Sequence, residues 1–437
     1  METLRILIAD SHNLRKVMGM NYRYLITHYL CLIALVLTAC ATKQIPTQSP
    51  QPPDQYLSNA LDWIETHSVK IDTVDWQTIR EQALVLAPNP QTTADTYPAL
   101  KYVAKQLGDT TTTFFPPDYW KETHIDAGFD AYYPEAVILS VYPGRPAEKA
   151  GLHVGDVIVA VNGEPPVPYL GTEYVDTYGD ITPEITVRRA GIDEWITVTI
   201  EQEVFEDRFQ QPVGRRIPSA QGDIGYIELP ATGGWDQYPT VAQQLIRKID
   251  GAKTCGWIID VRRNNSGDIW SYIAAIGPIL GEGEVGGFVY LDGGHEPWQY
   301  TNGKVIWGRD ERWESLVEGS IYKLNRNVPP VALLMSRATI AAGELAVVIF
   351  QGRPKVRTFG QATGGSPFLQ YHTGLSDGAY LSVSGAFSMD RSGRIYKGSI
   401  EPDEIVAIDW KEFGTDKDPV LLTAQNWLLR QPDCVQK

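Results

Sequence analysis

The sequence predicts an α+β chain of several domains. Three observations carry this: 437 residues, more than one hydrophobic core usually serves; a globular composition with 43% apolar and 10% aromatic residues; and short Val/Ile/Thr/Tyr runs among 39 Gly and 29 Pro, with helical patterns between them. The formal net charge of −15, without any Lys/Arg cluster, excludes a nucleic-acid partner and fits a polypeptide one.

The N-terminal segment addresses the compartment. From Met20 the chain reads Asn21-Tyr22-Arg23-Tyr24, then an apolar run from Tyr29 to Leu37, then Thr38-Ala39-Cys40. A short basic start, an apolar run and small residues before a cysteine make residues 1–40 an export-signal segment, in which Glu2 and Asp10 suit no signal and point to a translation start at Met18 or Met20. It is similar to the bacterial lipobox, which implies cleavage before Cys40, a lipid on its thiol, and a protein anchored to the membrane in the bacterial cell envelope, outside the cytoplasm. A short membrane helix is the alternative. Residues 41–56, rich in Pro, Gln and Thr without periodicity, read as a flexible tether. Cys255 and Cys434 then remain. One bridge is possible, but Cys255 beside Trp257-Ile258-Ile259 reads as a buried small hydrophobe. No His/Cys cluster has metal-ligand spacing, and no cofactor is expected.

Residues 57–124 read as a helical subdomain, with apolar periodicity through Leu61, Ile64 and Val69, through Ile79, Ala83 and Leu84, and from Tyr97 to Leu107. Residues 125–205 form a separate β unit. Ala136 to Tyr142 is a strand, Pro143-Gly144 a turn, Pro146 to Ala150 a short helix closed by Gly151, and Gly155 to Gly163 a strand ending in a turn. The unbroken string from Pro143 to Gly163 resembles a PDZ domain. That resemblance implies an extended polypeptide C-terminus added as a strand, here along Ala136, Val137, Ile138 and Leu139. A purely structural module is the other reading.

In residues 206–437, strands at Ile224 to Leu229, Gly256 to Val261 and Val331 to Met335 alternate with helices at Tyr238 to Ile249, Ile269 to Leu280 and Gly343 to Gln351. Such alternation predicts a partly parallel sheet whose site lies at the strand C-termini, after Val261 and after Met335. Asp260-Val261-Arg262-Arg263-Asn264-Asn265-Ser266-Gly267, Thr339-Ile340-Ala341-Ala342-Gly343-Glu344, Thr363-Gly364-Gly365, Leu107-Gly108-Asp109 and Asp390-Arg391-Ser392-Gly393 fall in one order. Together they resemble the tail-specific, carboxy-terminal processing serine peptidase family over nearly all of residues 57–410. The resemblance implies a ClpP/crotonase-like mixed β-sheet core with flanking helices.

That family's chemistry needs a serine at a helix entrance, where backbone N–H groups hold the oxyanion. The resemblance puts Ala341 at this position, and a methyl group has no lone pair. It puts Thr111 where one branch keeps a histidine base and Ser366 where the other keeps a lysine; neither takes a proton near neutrality. Ser336 and Thr339 are candidates for a displaced nucleophile, while His124, His295 and His372 read as surface or hydrogen-bonded histidines. The N–H groups of Ala342 and of Ser266 or Gly267 remain as an oxyanion-like pocket, with Ser266 strained if its φ must be positive. The reading is a lipoprotein-anchored family member, catalytically inactive, that binds peptides or partner proteins. An active peptidase with relocated residues and a small-ligand carrier are the alternatives.

Overall fold

The computed structural model describes residues 51–109, 111–117, 125–132, 136–166, 183–201, 203–204, 211–232, 237–308, 312–314, 317 and 321–435. Cys40, the signal, most of the tether and His124 lie outside the described residues. No helix among the described residues is long and apolar enough to cross a membrane.

Three helices open the fold: α1 (Pro53–His67), α2 (Trp76–Leu86) and α3 (Tyr97–Gln106). Proline in the first turn starts α1 and α3, where its missing N–H costs nothing, and the Asp75 carboxylate caps α2 by accepting from Thr78 N. Leu57, Leu61 and Ile64 of α1 and Ile79 and Ala83 of α2 bury one stripe each, against Leu100 and Val103 of α3. The helices are not a free-standing unit, because the same cluster takes in Leu375, Leu381 and Val383 from the C-terminal part.

The β unit consists of β1 (Phe129–Tyr132), β2 (Val137–Val141), α4 (Pro146–Lys149), β3 (Val157–Val161), β4 (Glu184–Arg188) and β5 (Ile196–Thr199). Its antiparallel order is β1-β2-β3-β4-β5, closed over Ile138, Leu152, Ile158, Ile185 and Val187. This order corrects the peptide-binding expectation for Ala136, Val137, Ile138 and Leu139, since β2 is an interior strand. Ile138 donates to Asp156 O and accepts from Gly155 N, Ala136 O accepts from Ile158 N, and Leu139 O accepts from Arg263. An added strand needs an unpaired edge, and among the described residues only β1 and β5 are edges.

The core runs β6 (Val213–Ile217), β7 (Asp223–Glu228), α5 (Tyr238–Ile249), β8 (Thr254–Asp260), α6 (Ile269–Leu280), β9 (Gly283–Val289), β10 (His295–Thr301), β11 (Lys304–Trp307), β12 (Val331–Met335), α7 (Ala342–Val348), β13 (Val356–Gly360), β14 (Phe368–Gly374), β15 (Tyr380–Asp390), β16 (Glu404–Ile405) and α8 (Pro419–Leu429). One six-stranded sheet has the order β16-β13-β12-β8-β7-β6, parallel except for β6. Both of its faces are covered, which is why β8 and β12 are buried at every position rather than at alternate ones. Ile227, Ile259 and Leu333 pack with α5, α6 and α7, while Tyr226, Ile258 and Leu334 pack with α8. Each fully buried Ile or Leu there contributes about 1.5–3 kcal/mol. The second, antiparallel sheet places β15 between β9 and the Thr113–Phe115 strand, with β10 and β11 beyond β9.

Cys255 and Cys434 form a disulfide. The apolar neighbours of Cys255 favoured a free buried thiol; pairing across 179 residues becomes visible only when the segment after α8 returns to β8.

Candidate functional site

The expected site forms where two turns meet at the C-terminal ends of adjacent parallel strands. The turn after β8 is set by a fully buried ion-pair network, in which Arg262 binds Asp260 at 2.6 Å and Asp418 at 2.8 Å. Burial opposes ionisation of Asp260, but the Arg262 charge and its hydrogen bonds outweigh it and hold the carboxyl below its ordinary range. Asn264 donates to Leu229 O, and Tyr272 Oη donates to Ser266 O at 2.8 Å while standing 3.1 Å from Asn264 Oδ1. The positive φ falls on Gly267 (122°), whose Cβ would stand 2.3 Å from Tyr272 Oη. Ser266 is not among the positive-φ residues, so the strain expected for it is absent.

The turn after β12 leans on the first one. Ser336 Oγ donates to Arg262 O at 2.5 Å, Thr339 Oγ1 donates to Val261 O at 2.8 Å, and Ile340 N donates to Asn264 O at 3.0 Å. A Cβ on Gly343 would stand 2.1 Å from Asn264 O, so the two backbones touch and only glycine fits. Between these contacts Ala341 takes φ 52° and ψ −118°, at the entrance to α7. That backbone region costs an L-residue about 1–3 kcal/mol and persists where surroundings impose it. The N–H groups of Ala342, Ser266 and Gly267 have no hydrogen-bond partner among the described residues. The structure therefore brings the three expected oxyanion-like positions to one junction.

Glu344, in the first turn of α7, joins two of the three expected catalytic positions. Its buried carboxylate accepts from Ala341 N at 3.2 Å and Ser366 N at 2.6 Å through one oxygen, and from Thr363 Oγ1 at 2.5 Å and Gly365 N at 2.8 Å through the other. Burial pushes its pKa up to about 7, outweighing hydrogen bonds that favour the ionised form. Thr111 is placed differently. Its N and Oγ1 bond Asp109, and its Oγ1 meets Ser384 Oγ on β15 at 3.0 Å.

The candidates for a displaced nucleophile are spent. Ser336 and Thr339 are fully buried and give their hydroxyl protons to backbone carbonyls, and no imidazole among the described residues bonds either one. His295 begins β10, and His372 on β14 stacks on Tyr380, where burial lowers its pKa. Among the described residues no group of three or more His, Cys, Asp or Glu side chains is placed to hold a metal ion.

Three residues that sequence reasoning left without a role belong to this site. Glu344 was visible only as part of a motif, and Asp418 lies 156 residues from Arg262 with no local signal. Arg263 pairs with Glu228, donates to Leu139 O and Ser140 Oγ of β2, and stacks beside Arg262 on the Phe413 ring. It fastens the β unit to the turn that carries Ser266 and Gly267.

Comparison with known proteins agrees with this fold and domain order. Residues 223–406 match peptidase family S41, and residues 137–180 match a PDZ domain. The nisin-resistance protein of Lactococcus lactis subsp. lactis is 30% identical over 202 residues, covering 44% of this chain and 60% of that protein's length. The chloroplastic carboxyl-terminal-processing peptidase 2 of Arabidopsis thaliana is 23% identical over 451 residues, covering 94% of this chain and 82% of the relative. Among solved structures, the photosystem II D1 C-terminal processing protease superposes with a TM-score of 0.57 at 20% identity, covering 84% of this chain and 95% of that one. A lipoprotein from Streptococcus agalactiae gives 0.53 at 18%, covering 87% and 97%. With the PDZ unit ahead of the sheet that bears the paired turns, these matches together support a place for the chain among the carboxyl-terminal-processing peptidases of family S41.

Proposed function

We propose that this chain is a catalytically silent family member, held outside the cytoplasm by a lipid on Cys40, that binds polypeptide C-termini through its PDZ domain and the cleft beside α7. The observation that carries the reading is Ala341. Its backbone has the constrained geometry that presents a side chain at a helix entrance, beside N–H groups without partners, yet it presents a methyl group. Acyl transfer requires a nucleophile and a base within hydrogen-bond reach, and Ser366 and Thr111 supply no base. Donors without a nucleophile retain affinity for a carbonyl or carboxylate. The free edge of β1 is the place for an added strand. The Cys255–Cys434 disulfide supports an oxidising compartment.

The test uses the full chain. Fluorophosphonate labelling is expected to mark no residue, and fluorescein-labelled peptides with a free C-terminus are expected to bind, with amidated versions weaker by about tenfold or more. A single labelled Ser or Thr whose substitution abolishes labelling establishes an active peptidase instead. A small ligand retained through purification and displaced by no peptide establishes the carrier reading.

A further inference from the structure

Beyond the turn that carries Gly267, the rim of the main core bears an aromatic cluster that the hydrolytic geometry leaves unused. Trp270, two residues past the Asp268 cap of α6, stacks on Trp307 of β11 with centroids 4.7 Å apart and planes at 20°. It also meets Phe288 and Trp298 edge-on. Trp298 and Phe288 are buried; Trp270 and Trp307 are only half-buried, so their stack ends at the surface. Glu296 stands on the same face, opposite Phe288 and two residues from Trp298, which is itself paired with Trp307. A Cβ on Gly308, next to Trp307, would lie 3.9 Å from Glu296 Oε1.

Glu296 Oε2 accepts from Tyr290 Oη at 2.6 Å. Oε1 has no hydrogen-bond partner, and no Lys or Arg pairs with this carboxylate among the described residues. Burial and the adjacent carboxylate raise the Tyr290 phenol, so it stays a donor and fixes the Glu296 orientation. A half-buried carboxylate on the sheet face that carries Trp298 and Trp307 is a poor place for an apolar residue, whose approach would strip water from the carboxylate without replacing it. It suits a cation, which the ring faces and the carboxylate attract together. The net charge of −15 adds a field of the same sense.

We propose that the Trp270–Trp307 stack and the Glu296 carboxylate form a subsite for a cationic side chain, lysine or arginine, of the polypeptide held in the cleft. The inference rests on the peptide-binding reading and assigns a selectivity to it.

The experiment is fluorescence anisotropy with the full chain and short fluorescein-labelled Gly/Ser/Ala peptides ending in Val-Ala. A single Lys, norleucine or Glu is moved through the peptide one position at a time. At one position Lys is expected to bind about tenfold more tightly than norleucine, and Glu more weakly than either. Glu296→Gln is expected to cut the Lys preference to about twofold while norleucine affinity stays unchanged. Tyr290→Phe, which keeps the packing but frees the carboxylate, is expected to reduce it partially. Binding of all peptides with no charge preference, or a preference that survives Glu296→Gln in a variant with unchanged melting, overturns the subsite and leaves the peptide-binding reading standing. Failure of every peptide to bind overturns both.

Discussion

Ala341 is held at φ 52° although its own side chain makes no use of that conformation. The cost sits in the Cβ, so removing it has a calculable outcome. Ala341→Gly relieves about 1–3 kcal/mol of strain and returns about 0.4–1 kcal/mol to the unfolded chain. A net gain of about 1 kcal/mol is expected in urea unfolding of the full chain, and a loss would mean that the positive φ at this position carries no strain. The identity of Ala341 was legible in the sequence, because motif order alone placed it. Its strain was not, since φ comes from the contacts of Ile340 and Gly343 with Asn264, a residue distant in the chain. The same holds for Ser336 and Thr339, whose hydroxyls looked available until their acceptors, the carbonyls of Arg262 and Val261, came into view.

At the scale of elements, the joint between α7 and the 363–366 segment is a single carboxylate. With the pKa of Glu344 raised to about 7 in the fold against an ordinary 4.5, the folded chain keeps a proton that the unfolded chain has already released. The unfolded state thus binds fewer protons between those values, and this group's contribution to stability falls as pH rises through that window. It is full below about pH 4.5 and lost above about pH 7, a change of about 3 kcal/mol at most. Urea unfolding between pH 4.5 and 8 should show this slope in the native chain and not in Glu344→Gln; equal slopes would place the titration elsewhere. The strands and helices themselves were readable from periodicity, as β7, β8, β12, α5 and α6 show. What periodicity does not encode is adjacency. The Val137–Val141 segment reads as a strand in either case, but whether it lies at an edge depends on β1 and β3 flanking it.

For the whole molecule, the long-range ties lie where the sequence is silent. Asp418 reaches Arg262 from the cap of α8, and Cys434 reaches Cys255 from beyond its end, so α8 is fixed to the parallel sheet at both ends. Cys434→Ser is expected to cost about 2–5 kcal/mol, measured as the shift in urea midpoint, and to make the chain insensitive to reductant. Peptide affinity should not change, since the bridge lies at the start of β8, at the opposite end of the strand from the turn that carries Ser266 and Gly267. A loss of binding equal to the loss of stability would mean that the site depends on the outer layer.

The abutment of Gly343 on the Asn264 carbonyl has one more consequence. With not even a methyl's clearance between them, the two turns keep a fixed spacing whatever side chains they carry. The backbone at Ala341 is therefore set by the turns that meet beneath it and not by the side chain it carries.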